Sequence, residues 1–207
     1  MGEAGGPIVV KLGGSFAFSQ NLKKWIAACA ACAGRVVIVP GGGPFADTVR
    51  SAQSRMGFDD QAAHQMAVLA MEQYGRALAS HDSLLSLADS TDAIQRCLTA
   101  ERVPVWMPAR MVFDAADIAP SWDATSDSLA AWLSGRIGAI RLFLVKHLES
   151  LPRGKRCEDL AAAGIVDKAF PRYFRMSSVP SSILGSADHD AAIAAIRGGT
   201  TVGLSVE

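Results

Sequence analysis

An α/β fold with a mostly parallel sheet is what this 207-residue sequence predicts, and three observations carry the prediction. Ile8-Val-Val-Lys-Leu12 and Arg35-Val-Val-Ile-Val39 are short β-branched runs, the signature of buried strands. Each closes in glycine, at Gly13-Gly14 and at Gly41-Gly42-Gly43. Helical patterns follow each of them, giving a βαβα order that points to parallel strands covered on both faces.

The elements follow in chain order. Ile8–Leu12 predicts a strand and Leu22–Ala33 an Ala-rich helix, with Ser19 or Asn21 as its cap. Arg35–Val39 is the second strand, and Pro40-Gly41-Gly42-Gly43-Pro44 ends it. Helices are expected from Phe45 to Met56 and from Asp60 to Ser80. Thr91–Arg102 reads as helix and Val103–Met107 as strand, where Pro104 implies the strand's first residues or an edge. A helix over Thr125–Leu133, a strand over Ile140–Val145 and a short helix over Glu158–Ala163 come next. Asp188–Arg197 is the last helix, stopped by Gly198-Gly199, and Thr201–Ser205 the last strand. The pattern contains no repeat, low-complexity tract or linker, so residues 1–207 are read as one domain.

Composition narrows the function classes. Lys+Arg and Asp+Glu number 20 each, and this balance argues against a chain-wide grip on nucleic acid or an anionic membrane. Half the residues are hydrophobic, and mean hydropathy is +0.21. Apolar surface in that quantity suggests self-association into a homo-oligomer. Trp25–Gly34, the longest charge-poor apolar stretch, is well short of the roughly 18–20 residues that cross a bilayer. Met1–Pro7 lacks the regions of a secretory leader, so a cytoplasmic location is expected. Cys29 and Cys32 form a C-x-x-C inside a helical pattern with no second Cys/His pair, and read as small buried hydrophobes. His81, His147 and His189 have no metal-ligand spacing, and no metal site is expected from the side chains.

Chemistry concentrates where the strands end. In open α/β sheets ligands bind beyond the carboxyl ends of the strands, and glycines let the backbone approach them. Lys11-Leu-Gly-Gly-Ser15 is not a Walker A loop, and Gly41-Gly42-Gly43 is not a dinucleotide fingerprint. A single glycine turn is usually only a turn; two at equivalent strand ends, one beside a lysine, suggest a phosphate cradle. Lys11 either snorkels from an edge strand or meets an anion, and the apolar run around it favours the anion. Asp127 falls in the first turn of a helix that Thr125 or Ser126 can cap, which suits the helix dipole as well as catalysis. Lys146 ends the Ile140–Val145 strand, on the same sheet edge as Lys11 or simply exposed.

K-x-G-G-S after the first strand, G-G-G after the second, S-D-x-x-A at a helix start and a late strand ending in lysine together resemble the amino acid kinase family over nearly the whole chain. Gly43–Arg50, Ala63–Tyr74 and Trp122–Ala130 are similar, within it, to the aminomethylfuran phosphate kinases. The resemblance implies a three-layer αβα sandwich around about eight strands. It implies an acceptor site in the N-terminal half, a nucleotide site in the C-terminal half, and MgATP as phosphoryl donor. Lys11, Asp127 and Lys146 would be the catalytic set. Gly13, Gly14, Ser15, Gly42, Gly43 and Asp167 would hold phosphates and nucleotide. Gly41, Arg50, His64, Trp122 and Asp123 would face the acceptor. Arg50 also suits a surface ion pair, His64 a structural role, Trp122 core packing and Asp123 a loop charge. One departure stands out: Lys146-His-Leu-Glu-Ser-Leu-Pro152 lacks the Asp-Gly common in relatives at this loop. That keeps a non-catalytic nucleotide-binding regulator or storage protein of the same fold as the alternative to a kinase, along with kinases for carboxylates or nucleoside monophosphates.

Overall fold

The computed structural model describes residues 5–148, 154 and 156–207. Its sheet contains seven strands among those residues, in the order β3-β4-β2-β1-β5-β6-β7, all parallel except the last pair. β1 (Ile8–Leu12) lies between β2 (Val36–Pro40) and β5 (Arg141–Val145). From β1 the chain builds outward through β2, β4 (Val103–Trp106) and β3 (Leu85–Ala88). It then returns across β1 to lay down β5, β6 (Ser181–Leu184) and the short antiparallel β7 (Leu204–Ser205). The reversal puts a topological switch point at the carboxyl end of β1, where this architecture opens a ligand crevice.

The strand periodicity sorts side chains to the two faces. Val9 of β1 and Leu142 and Leu144 of β5 enter one core, and Ile8, Val10, Leu12, Phe143 and Val145 enter the other. Lys11 shares the parity of Val9, and Lys146 that of Leu144, so both lysines project to the same face. That face is covered by α6 (Ser126–Arg136), whose residues from Ser126 to Ser134 are all buried. A helix buried all round needs cover on its outer side, and α8 (Phe170–Ser177) supplies it. The opposite face carries α1 (Asn21–Ala30) and α9 (His189–Gly198), where Trp25, Cys29 and Cys32 are buried.

α2 (Gly43–Met56) and α3 (Asp60–Ala79) follow β2, α4 (Thr91–Thr99) joins β3 to β4, and α5 (Ala109–Phe113) and α7 (Cys157–Ala162) are short. Three layers of helix, sheet and helix are as expected, but the expectation of about eight strands overcounts by one: after β6 the described residues add only the two-residue β7. Pro104 is the second residue of β4, an inner strand whose register with β2 is fixed only at Ile38–Val105. The tolerated proline therefore marks a strand start rather than an edge.

Candidate active site

Parity and the α6 start bring two lysines to one carboxylate. Lys11 Nζ lies 2.9 Å from Asp127 Oδ1, and Lys146 Nζ donates to Asp127 Oδ2 at 2.6 Å. The Lys11 contact is a buried ion pair, and an ammonium group has three protons, so Lys11 can also meet another acceptor. All three groups are buried, with side chains at most 15% exposed. Burial by itself would raise the Asp127 pKa; the Lys11 and Lys146 charges outweigh it and hold the carboxyl far below the usual carboxylate range. Lys146 shows the opposite balance. Burial pushes its pKa down, Asp127 pulls it up, and Lys11 pushes it down again, with a net lowering. Two ammonium groups converge here on one carboxylate at the switch point, where their remaining donors suit an anion.

Asp167 locks this arrangement. Its Oδ2 accepts from Thr125 N and Thr125 Oγ1 at 2.9 Å and from Ser128 N at 3.0 Å, and its Oδ1 from Ser128 Oγ. Its own N–H donates to Asp127 Oδ2 at 3.2 Å. Neither Thr125 nor Ser126 caps α6 with its side chain; a carboxylate 39–42 residues away does so instead. Burial, and then the Asp127 charge, push the Asp167 pKa up. With both carboxylates so engaged, the residues present suit a metal ion carried on nucleotide phosphates rather than a dedicated metal pocket.

The two glycine loops touch each other above the lysines. A Cβ on Gly14 would lie 2.4 Å from Gly43 N, and one on Gly41 would lie 2.5 Å from Gly14 N, distances no side chain allows. Gly43 also has φ +57°, with the Tyr74 ring against it. Gly13 sits beside Lys11 Nζ. α2 starts at this crossing with no side-chain cap, and although Pro44 has no N–H, those of Gly43 and Phe45 are left for an anion.

Beside the crossing lies a cavity of about 420 Å³, lined by Gly14, Ser15, Gly42 and Gly43 on one side and Ser126 at the start of α6 on another. Arg50, His64 and Trp122 line it; Gly41 and Asp123 do not. Gly41 is consumed by the loop crossing, and Asp123 is exposed, with Oδ1 3.3 Å from Lys168 Nζ. The Arg50 guanidinium stands 4.5 Å from the Trp122 ring centroid and 3.1 Å from Asp47. Trp122 is held in turn by its indole N–H, which donates to Gln53 at 2.7 Å. Burial lowers the His64 pKa, against a backbone contact at Ser121 that raises it, and keeps the ring neutral near pH 7. Phe18, Asp47, Met71 and Ser126 line the cavity without having been expected there. Asp47, Arg50 and Gln53 recur three residues apart on α2, so they share one face of that helix. Of the loop after β5, Lys146–Leu148 are described, and residues 149–153 lie outside the described residues.

A switch-point crevice with paired lysines, an ionised carboxylate and crossed glycine loops defines a phosphotransferase of the α/β class. A model of the amino acid kinase family matches residues 6–151, well over half of the chain, and the chain belongs to that family. It is 23% identical over 184 residues to the [5-(aminomethyl)furan-3-yl]methyl phosphate kinase of Methanocaldococcus jannaschii, covering 82% of this chain and 85% of that one. Its fold is shared with uridylate kinase from Archaeoglobus fulgidus, at TM-score 0.73 and 17% identity, covering 97% of this chain and all of that one. UMP kinase from Ureaplasma parvum matches at TM-score 0.66 and 14% identity, over 95% and 96% of the two chains. No helix among the described residues is long and apolar enough to cross a membrane.

Proposed function

We propose that this kinase uses MgATP to phosphorylate a small phosphomonoester of the aminomethylfuran phosphate kind, giving a diphosphate. The observation that carries the reading is the Lys11–Asp127–Lys146 cluster at the switch point, beside a cavity that Arg50 and Trp122 line. An oxygen of the acceptor phosphate attacks the γ-phosphorus of ATP, and the bond to the β-phosphate oxygen breaks to release ADP. The nucleotide supplies the phosphoryl group, and its Mg²⁺ neutralises phosphate charge. Lys11, which has donors beyond the one facing Asp127, neutralises the moving phosphoryl group, while Gly14, Gly42 and Gly43 N–H groups hold its oxygens. Asp127 keeps the two ammonium groups in place, and Lys146 meets the ATP phosphates from β5. Asp167 acts on the site through α6 and Asp127. Arg50 offers the acceptor phosphate a two-pronged partner, and Trp122 gives the ring an apolar face.

The nucleotide in this reading occupies the C-terminal half, and the protein works in the cytoplasm as an assembly of identical copies. Met66 and Leu69, exposed on α3, support self-association. The test offers MgATP with aminomethylfuran phosphate, uridylate, isopentenyl phosphate and N-acetylglutamate and compares kcat/KM. The furan phosphate is expected to win. A clear preference for N-acetylglutamate rejects the phosphomonoester assignment. ATP binding with no turnover of any acceptor would favour the regulatory or storage reading that the unusual loop after Lys146 suggests.

A further inference from the structure

An aminomethyl group is an ammonium ion at neutral pH, and a pocket that selects it needs a carboxylate within reach. Asp123 does not supply one, because it lies outside the cavity, where its carboxylate faces Lys168. Among the described residues lining the cavity a single carboxylate is present, Asp47, one turn into α2. We propose that Asp47 selects acceptors bearing a primary ammonium group, exchanging its partner Arg50 for the ligand as the acceptor's phosphate takes up Arg50. The inference rests on the reading of the acceptor as an amine-bearing phosphomonoester.

The two side chains differ in how firmly they are held. Asp47 touches Arg50 at 3.1 Å in an i,i+3 pair whose side chains are 76% and 56% exposed, and pairs of this kind are weak. Breaking it costs little. Arg50 has a second anchor in the Trp122 ring, which Gln53 holds and Asp60 braces by accepting from the Gln53 amide at 2.9 Å. Asp47 is therefore the partner free to turn. An acceptor with a phosphate and an ammonium group replaces both halves of the pair at once, so neither charge is left unmatched. A dianion without an amine engages Arg50 and leaves Asp47 facing added negative charge, which penalises it. His64, the other titratable group lining the cavity, stays neutral and neither pairs with Asp47 nor repels the amine. Phe18, Met71 and Leu129 complete an apolar surface for the ring between the charged ends.

The experiment measures kcat/KM for aminomethylfuran phosphate and for the same compound with methyl in place of aminomethyl, in the wild type, Asp47→Asn and Asp47→Glu. The wild type is expected to prefer the amine by roughly ten-fold, the scale of one charged contact at a partly exposed site. Asp47→Asn brings the ratio close to one, chiefly through KM, and Asp47→Glu restores part of it. Thermal melting checks that each variant is folded. A preference that survives in Asp47→Asn overturns the assignment to Asp47. A wild type that treats the two compounds alike overturns the inference and leaves the phosphomonoester reading standing. A wild type that phosphorylates neither overturns that reading, and the inference with it.

Discussion

Asp127 is the residue on which the site's electrostatics turn. Its carboxylate stays ionised because two ammonium groups outweigh its burial, and that carboxylate in turn raises the Lys146 pKa against the larger lowering by burial. Asp127→Asn removes the pull on Lys146 and leaves burial and Lys11, both of which lower its pKa. Turnover should fall by roughly 10²–10³-fold. The alkaline limb of the kcat profile should also move to lower pH than in the wild type. Overlapping pH profiles would detach Asp127 from Lys146. The depressed Asp127 pKa also fixes a sign for stability. Its contribution is complete above the unfolded carboxylate value of about 3.9 and is lost only as pH falls through the lower folded value. Lys11→Met keeps the volume and removes the cation, so kcat should drop by roughly 10²–10⁴-fold, and the melting temperature should fall as well because Asp127 is left with Lys146 alone. Near wild-type turnover in the folded variant would take Lys11 out of the mechanism. These residues were legible in the sequence because a lysine inside an apolar strand and an aspartate at a helix start are chemically conspicuous. Asp47 and the capping role of Asp167 were not, since an exposed i,i+3 pair looks like ordinary helix surface and a cap from 39 residues away leaves no local trace.

At the scale of elements, the crossing of the β1 and β2 loops does most to set the site's geometry. Gly14 and Gly43 meet backbone to backbone, so a methyl group at Gly14 forces the loops apart rather than displacing a flexible side chain. Gly14→Ala is expected to cost about 1–3 kcal/mol of stability, as overpacking does, and to lower kcat by at least ten-fold. Gly57→Ala is the comparison: its φ of 72° strains any side chain, but nothing lies within 4 Å. It should lose about 1 kcal/mol with turnover intact. Equal losses of turnover in the two variants would mean that backbone strain, not loop contact, governs the site. The sequence revealed β1, β2, β5, α2 and α3 through strong periodicity or β-branched runs, and it also marked α1, α4, β4, α6, α7, α9 and β7, with bounds shifted by up to a few residues. β3 and β6 escaped because Leu-Ser-Leu-Ala and Ser-Ser-Ile-Leu carry serines where strands usually carry valine or isoleucine. α8 escaped because it opens on Phe170-Pro171, a proline that breaks a helix interior and is tolerated in a first turn.

The whole molecule is organised by the return of the chain across β1, which gives the crevice one wall from the first half of the sequence and another from the second. Arg50 and His64 stand on the helices that follow β2, with Trp122 against Arg50, while Lys146 closes β5. If acceptor and nucleotide occupy separate walls, as proposed, each ligand should stabilise the fold through its own residues. A ligand at about 100 times its Kd adds about 2.7 kcal/mol, which for a domain of this size raises the melting temperature by roughly 5–10 °C. The wild type should show one such shift with MgATP and another with the acceptor phosphate. Arg50→Ala should lose most of the acceptor shift and keep the nucleotide shift, because its guanidinium lies over Trp122 and away from β5. Lys146→Ala should do the reverse, and because it leaves Asp127 with Lys11 alone its unliganded melting point should also fall. The two-wall arrangement fails if either variant loses both shifts together. It fails equally if Arg50→Ala weakens MgATP while sparing the acceptor, since the walls would then be assigned the wrong way round.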